Sequence, residues 1–233
     1  MGRLDEQKSG SSSALKIVFS SKAQEVMWRK RMRKTMPTLV VKPLEPSTWF
    51  AFAQLVEENN GVWGGCWCLA FHIQSKALKS LNWAQRRAEK EQRVLEDRTH
   101  AALVFEGDRC VGWCQFGSPE ELPEVKSRRL YEKDLITLPD WRITCFFTGK
   151  GFRRRGVADA ALSGALLEIA RHGGGMVEGY PEETDDRTLS GSFLHTGPMA
   201  AFENHGFTRK RQISPHRWVV TKTVAASRTG EKP

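Results

Sequence analysis

The clearest pattern of hydrophobic and polar positions along the chain lies in residues 141–171. Residues 143–148 (ITCFFT) form an apolar run of strand length, and a turn rich in glycine and arginine follows them. Beyond that turn, apolar side chains recur every three or four positions, as on one face of a helix: Val157, Ala161, Leu162, Ala165, Leu166 and Ile169. The pattern therefore predicts a buried strand, a tight basic turn and an amphipathic helix, in that order.

Similar patterns predict regular elements on both sides of this segment. Before it we expect a strand over 39–43, a helix with Ser47 as N-cap that ends at 59–61, a polar helix over 82–97, and a hairpin of strands 101–105 and 109–116. After it we expect a strand over 176–180, a helix over 198–205, and strands over 208–212 and 217–221. No internal repeat is visible.

The basic turn between the central strand and its helix has the chemistry of an anion site. The first N–H groups of a helix have no partner within the helix, and the helix dipole adds partial positive charge there. Gly156 has no side chain to keep an anion away from these groups, and Arg153, Arg154 and Arg155 add fixed charge. The sequence therefore predicts a pyrophosphate site at this turn.

Two common phosphate-binding motifs do not fit the turn. A Walker A loop needs GxxxxGK followed by Ser or Thr, and residues 149–156 contain no such sequence. A dinucleotide fingerprint needs GxGxxG, but Arg154 stands where the third glycine would follow Gly149 and Gly151. Both nucleotide-binding classes are therefore disfavoured.

The turn instead contains Arg153-x-x-Gly156-x-Ala158, which resembles the Arg/Gln-x-x-Gly-x-Gly/Ala motif of the GNAT acyltransferase superfamily. A predicted short helix followed by Gly206-Phe207 is a second similar feature. The resemblance covers nearly all of residues 38–221. It implies an α+β fold: a three-layer α/β sandwich with a mixed, mostly antiparallel sheet, whose central strands splay apart and are flanked by helices.

The resemblance also implies the acyl donor and its contacts. Acetyl-CoA would be the donor substrate, and its pantetheine arm would bind between the fourth and fifth strands, along the backbone of Phe146, Phe147 and Thr148. Its pyrophosphate would bind at the turn, to Arg153, Arg154, Arg155, Gly156, Val157 and Ala158. A backbone N–H of the fourth strand would polarise the thioester, and an amine would attack it directly in a ternary complex.

The groups that would transfer protons depart from the family pattern. Many members carry a tyrosine acid in the last helix, where this chain has Phe202, which cannot donate a proton. Alternation along the fifth strand places Glu178 and Tyr180 on one face beside the expected site, so we predict Glu178 as the base and Tyr180 as a substitute acid. A structural Glu178 paired with Arg142 is an equal alternative. His172 and His195 are expected at surface or capping positions.

The acceptor is expected to be an amine, of a small molecule or of a protein, selected by two loops. Trp63, Trp67 and Phe71 predict an aromatic, apolar floor in the loop over residues 61–71. The loop over residues 182–197 contains acidic side chains that could attract a cation: Glu182, Glu183, Asp185 and Asp186. The sequence leaves these two interpretations open, and it leaves a homodimer open as well.

The net charge of +9 is concentrated near the ends of the chain. Residues 1–35 hold nine basic and three acidic side chains, and residues 221–233 hold three basic and one acidic, which leaves +1 for residues 36–220. We therefore predict a basic, disordered leader over 1–35, a single acyltransferase domain over 36–221 and a disordered tail over 222–233. Met36 is an alternative start, so the leader need not belong to the native protein. Nucleic-acid binding is not expected of the domain.

The five cysteines predict a reducing compartment rather than a disulfide framework. Their number is odd and their spacing irregular, which favours a cytoplasmic protein. Cys66-Trp67-Cys68 lacks a second ligand pair nearby, so no metal site is expected. No apolar run approaches the length of a membrane span, and no membrane partner is expected.

The sequence thus favours an acetyl-CoA-dependent N-acetyltransferase. The missing tyrosine motivates an alternative, a non-catalytic protein that binds or senses acyl-CoA. A third class, a nucleic-acid binder acting through the basic leader, would need a salt-sensitive affinity that disappears with residues 1–35.

Overall fold

The computed structural model describes residues 38–62, 64–133, 135–183 and 193–227, together with Lys22. The compact unit that contains the site begins at Thr38. Within the described residues, no helix has the length and apolar character needed to cross a membrane. The predictions for residues 1–35 lie outside the described part of the chain, apart from Lys22.

Within the described residues, seven strands form one sheet: β1 (Leu39–Pro43), β2 (His100–Glu106), β3 (Arg109–Gly117), β4 (Trp141–Thr148), β5 (Gly175–Gly179), β6 (Thr208–Ser214) and β7 (Arg217–Val224). Their order in the sheet is β1-β2-β3-β4-β5-β7-β6. Among these neighbours, the β4–β5 pair is parallel and the others are antiparallel. The mixed, mostly antiparallel sheet flanked by helices confirms the predicted fold class.

Helices cover both faces of the sheet, and the longest of them packs buried apolar side chains against it. The helices of the described residues are α1 (Trp49–Glu58), α2 (Ser75–Ser80), α3 (Trp83–Leu95), α4 (Arg128–Lys133), α5 (Val157–Arg171) and α6 (Met199–Asn204). One core lies between the sheet and α1, with the 62–71 loop, and includes Trp113 and Phe147. A second lies between the sheet and α5 with α6, and includes Ile143 and Phe202, and a smaller third cluster includes Tyr131 and Tyr180.

The sequence interpretation was wrong at several helix positions. Thr48, not Ser47, precedes the first residue of α1, and its hydroxyl donates to the carbonyl of Pro43 at 2.7 Å. Helices α2 and α4 were not predicted, because α2 buries no side chain and α4 buries only Tyr131. Such short polar segments have no apolar period to recognise.

The last strand also extends beyond the predicted domain end. β7 pairs with β5 as far as Val224, opposite Gly175, and the N–H of Ser227 donates to the carbonyl of Ala170. Residues 222–224 therefore belong to the sheet and not to a disordered tail as predicted. The strand pattern was hard to recognise there because Lys222 and Thr223 interrupt the apolar run.

The two central strands separate soon after they meet. The pairing of β4 with β5 covers three residue pairs and ends at Ile143 and Gly179. At the same place, Thr144 is an extra residue in β4: Ile143 lies opposite Phe116 and Cys145 opposite Gln115. Such a β-bulge bends its strand. The bulge and the short pairing together open a gap between β4 and β5 beyond Ile143.

Candidate active site

The basic turn (residues 149–156) connects β4 to α5 through three residues with positive φ. Gly151, Arg154 and Gly156 have φ angles of 89°, 60° and 80°. The turn is fixed at its base, where the N–H of Gly149 donates to the carbonyl of Val111 at 2.8 Å. The left-handed conformation at Gly156 suits glycine, because any other residue there would be strained.

Gly156 immediately precedes α5 and leaves the end of that helix open. It supplies no side-chain cap, and a Cβ added there would meet no atom within 4 Å. The next residue, Val157, is buried and holds the helix against β3, where a Cβ added at Gly112 would lie 2.5 Å from Val157 Cγ1. The first N–H groups of α5 therefore face open space at the end of a 15-residue helix.

The three arginines of the turn do not act alike. Arg155 forms an ion pair with Glu106 and lies over the ring of Phe152, 5.1 Å from its centroid. Arg153 and Arg154 are exposed and form no ion pair with any residue that the structure describes. The sequence analysis treated the three arginines as one cluster. In the structure, no described ion pair balances the charges of Arg153 and Arg154.

This difference predicts unequal effects on coenzyme A affinity. We expect the double variant Arg153→Ala/Arg154→Ala to raise the Kd for coenzyme A about 10- to 100-fold, because charge-assisted hydrogen bonds to phosphate are lost. Arg155→Ala is the matched control, and its Kd should change less than about threefold, because Glu106 already balances the charge of Arg155. Isothermal titration of the three proteins measures both effects. Equal losses in both variants would contradict the assignment.

The predicted pantetheine residues lie at the end of β4, beyond the last pair with β5. Phe146 and Phe147 point to opposite faces of the sheet: the ring of Phe146 packs on Phe202 and that of Phe147 on Trp113. Thr148 closes the strand opposite Gly112 of β3. The backbone of this segment thus borders the gap between β4 and β5, as the prediction requires.

The bulge residue Thr144 adds a polar group that the sequence analysis did not single out. Its side chain is fully buried, and its hydroxyl has no hydrogen-bond partner within the described residues. A buried hydroxyl without a hydrogen-bond partner lowers the stability of the fold. Its position at the start of the gap makes it a polar group that a bound ligand could satisfy.

A cavity of about 640 Å³ lies beside the end of β4. Its walls come from β4, from α2 and the loop before it, from the segment after β3 and from the 3-10 turn Phe193–Thr196. The lining residues are Gly64, Cys66, Cys68, Ala70, Phe71, Leu78, Lys126, Cys145 and His195. This volume is typical of a small-molecule site. The predicted apolar loop therefore contributes the cavity wall.

Of the aromatic residues predicted to form an apolar floor, one lines the cavity and another lies in the core. Phe71 lines the cavity, with its ring 6.3 Å from that of His195. Trp67 is fully buried and packs instead between Trp49 and Trp83. Trp63 lies outside the described residues. His195 was expected at a surface or capping position, but it is buried in the cavity wall, because the 3-10 turn packs against β4.

Glu178 and Tyr180 lie on the same face of β5, as the alternation predicted, and they touch each other. One oxygen of Glu178 accepts hydrogen bonds from Tyr180 Oη at 3.1 Å and from Tyr131 Oη at 2.9 Å. Burial and the charge of Glu178 raise the pKa of Tyr180 well above its ordinary value. Neither residue lines the cavity, but Tyr180 is the first residue beyond the last β4–β5 pair.

Arg142 belongs to the same buried group, although it reaches Glu178 through a tyrosine. Its Nη2 donates to Tyr131 Oη at 3.3 Å and its Nη1 donates to the carbonyl of Leu122 at 2.6 Å. The described residues show no direct ion pair between Arg142 and Glu178. Tyr131 was not predicted as part of this site, because it lies 47 residues before Glu178 in a segment without an apolar period.

Phe202 occupies a position in the core and not in the cavity wall. It is fully buried, and its ring contacts Phe146 and Phe207 at centroid distances of 5.8 and 5.0 Å. It also lies directly on the backbone of Gly179, where no side chain could be accommodated. Phe202 therefore fills the space behind the gap between β4 and β5.

The two described carboxylates of the acidic loop already have basic partners. Glu182 pairs with Arg217 at 3.0 Å, and Glu183 pairs with Arg209 at 2.5 Å. Asp185 and Asp186 lie outside the described residues. Within the described part, the loop is thus charge-balanced and offers no uncompensated acidic surface.

A buried polar network supports the cavity wall from behind. His72 Nδ1 donates to the carbonyl of Glu121 at 2.9 Å, and the hydroxyl of Thr99 lies 3.0 Å from His72 Nε2. Lys90 Nζ is fully buried and donates to Thr99 Oγ1 at 2.5 Å. Burial, and then the charge of Lys90, lower the pKa of His72 well below its ordinary value, so His72 is neutral at pH 7.

The cysteines of the cavity form no metal site. Cys66, Cys68 and Cys145 all line the cavity, and all five cysteines of the chain are free thiols. Trp113 Nε1 donates to Cys68 Sγ at 3.3 Å, and burial raises the pKa of Cys66. No group of three His, Cys, Asp or Glu side chains in the described ranges is arranged to hold a metal ion.

No family model and no curated protein matches the chain. Among solved structures, the PaiA N-acetyltransferase of Thermoplasma acidophilum in complex with coenzyme A is 10% identical, with a TM-score of 0.46; 80% of this chain and 99% of that one are covered. A GNAT-family acetyltransferase of Streptococcus agalactiae is 12% identical, with a TM-score of 0.47 and coverage of 79% and 95%. The Escherichia coli ribosomal-protein-S18-alanine N-acetyltransferase is 8% identical, with a TM-score of 0.44 and coverage of 84% and 99%.

At these identities the likeness concerns the fold alone. GNAT acetyltransferases are thus among the solved structures that the chain resembles, as the motif from Arg153 to Ala158 led us to expect.

Proposed function

We propose that the protein is an N-acetyltransferase that transfers an acetyl group from acetyl-CoA to an amine by direct attack in a ternary complex. One arrangement carries the proposal, because three features follow one another along β4: its gap to β5 opens beyond Ile143, Cys145 lines the 640 Å³ cavity, and the basic turn after Thr148 leads to the open end of α5. An anion site, a slot for an extended chain and an acceptor cavity follow one another along this strand.

The donor supplies an activated acetyl group, and residues of this chain would bind and orient it. Arg153, Arg154 and the residues from Gly156 to Ala158 would bind the pyrophosphate, with the charge of Arg155 balanced by Glu106. Backbone groups of Phe146, Phe147 and Thr148 would bind the pantetheine arm. A fixed N–H of β4 would stabilise the negative charge that develops on the thioester oxygen.

Glu178 and Tyr180 are our proposed base and acid. Their support is the position of Tyr180, the first residue beyond the last β4–β5 pair, and its hydrogen bond to Glu178, which couples a proton at one to a proton at the other. Tyr131 would position the carboxylate of Glu178 by its own hydrogen bond. The raised pKa of Tyr180 keeps its proton on the phenol at neutral pH, as an acid requires.

A specific observation favours a second candidate, a non-catalytic acyl-CoA sensor. Phe202 fills the place of the usual tyrosine acid and is locked in the core by Phe146 and Phe207. A protein with a donor site but no acid could bind acyl-CoA without turning it over.

Thiol release from acetyl-CoA over a broad panel of amines tests the proposal. A transferase should release coenzyme A only when an acceptor amine is present, and Glu178→Gln should slow release without raising the Kd for coenzyme A. Micromolar binding of coenzyme A with no amine-stimulated release would favour the sensor. Failure to bind coenzyme A at all would exclude both candidates.

A further inference from the structure

The cavity beside β4 has apolar walls and one cationic side chain. Of its described lining residues, Lys126 alone is a lysine, arginine, aspartate or glutamate; the others are small, apolar, or thiol and imidazole groups. Lys126 is exposed and forms no ion pair with a described residue. Its ammonium group therefore dominates the charge that an acceptor meets on entering the cavity.

Neighbouring carboxylates do not cancel this charge. Glu182 is held by Arg217 at 3.0 Å, and Glu124 lies 3.8 Å from Arg128. The Arg217–Glu182 pair is nearly buried, with side-chain exposures of 13% and 10%, so its members are fixed to each other. Partial burial, and after it the charge of Arg217, lower the pKa of Lys126, and the charge of Glu182 raises it, so both members of this pair act on the ammonium group.

We propose that the acceptor amine also carries a carboxylate, and that Lys126 binds it. This inference rests on the proposed function and names its substrate class: a compact amine with an apolar body and a carboxylate, such as an apolar amino acid. Phe71 and Leu78 would contact the apolar body. A polyamine or another dication is disfavoured, because it would place an unpaired cation beside Lys126.

Matched pairs of acceptors provide the test. Each apolar amino acid is compared with its carboxamide, which has the same shape and amine but no negative charge. The amide also lowers the basicity of the amine, so a preference for the acid cannot arise from a more easily deprotonated nucleophile. We expect wild-type kcat/KM to favour the acid at least tenfold, mainly through KM.

Three variants test whether Lys126 causes the preference for the acid over the amide. Lys126→Met should reduce the preference to about onefold, with the amide reaction unchanged. Lys126→Arg should retain it, because it keeps the charge. Lys210→Met, which removes an exposed lysine of β6, is the matched control and should behave as wild type.

The outcomes separate this inference from the proposed function. Equal use of acid and amide by wild type, or an unchanged preference in Lys126→Met, would overturn the carboxylate site and leave the transferase standing. Peptide mapping that finds Lys126 itself acetylated would also overturn it, because the acetylated side chain has no charge. If no member of any pair releases thiol, the proposed function fails, and the inference fails with it.

Discussion

Gly156→Glu should abolish measurable binding of coenzyme A while the domain stays folded. The new side chain would enter the open space at the start of α5 and place a carboxylate where the pyrophosphate is expected, among the helix N–H groups. We expect the Kd to rise at least 100-fold, because both access and charge are lost. The folding cost is about 1 kcal/mol for a side chain at positive φ, which a thermal melt would detect.

The other end of the same helix offers a matched control. Gly173 also has positive φ, 101°, and a Cβ added there also meets no atom within 4 Å. Gly173→Glu therefore introduces the same charge and a similar strain, away from the basic turn. It should bind coenzyme A as wild type does. Full affinity in Gly156→Glu would show that the turn is not the pyrophosphate site.

Phe202→Ala should cause the largest loss of stability among single changes near the site. The ring is fully buried between Phe146, Phe207 and the backbone of Gly179, so its removal leaves a cavity where the sheet is already opened. Large-to-small substitutions of buried phenylalanine cost about 3–5 kcal/mol in free energy of unfolding. Urea denaturation measures this loss, provided that the m-value is the same in the variant and the wild type.

Phe50→Ala is the matched control, because it makes the same change from phenylalanine to alanine at an exposed position. Phe50 lies on α1 with 75% of its surface exposed, so its removal should change the free energy of unfolding by less than about 0.5 kcal/mol. A similarly small effect for Phe202→Ala would contradict the assignment of this ring to the core.

Patterns within one segment predicted the strands and helices whose apolar residues recur at one regular spacing. The strand ITCFFT and the helix face from Val157 to Ile169 were identified because alternation and helical spacing act over neighbouring residues. The Thr144 bulge was not predicted, since its cause is a shift of register between Gln115 and Phe116 on another strand. Periodicity within one segment contains no information on such a shift.

The candidate site likewise has parts that the sequence predicted and parts that it did not. The basic turn was predicted because its glycines and arginines are consecutive. The partners of Glu178 were not, because Tyr131 reaches it from 47 residues away, and Lys126 enters the cavity from a segment with no regular pattern. The pairing of Arg155 with Glu106 was equally hidden, since it joins a turn to the end of β2. Contacts between distant segments depend on the packed fold.

The contacts of Glu178 also make the phenolate absorbance of the protein a local signal. Tyr131 and Tyr180 are the two tyrosines of the chain, and both donate to the same carboxylate oxygen. Burial, together with the charge of Glu178, raises the pKa of both phenols. Phenolate absorbance in the folded state therefore comes entirely from one buried position next to the gap, without any label being attached.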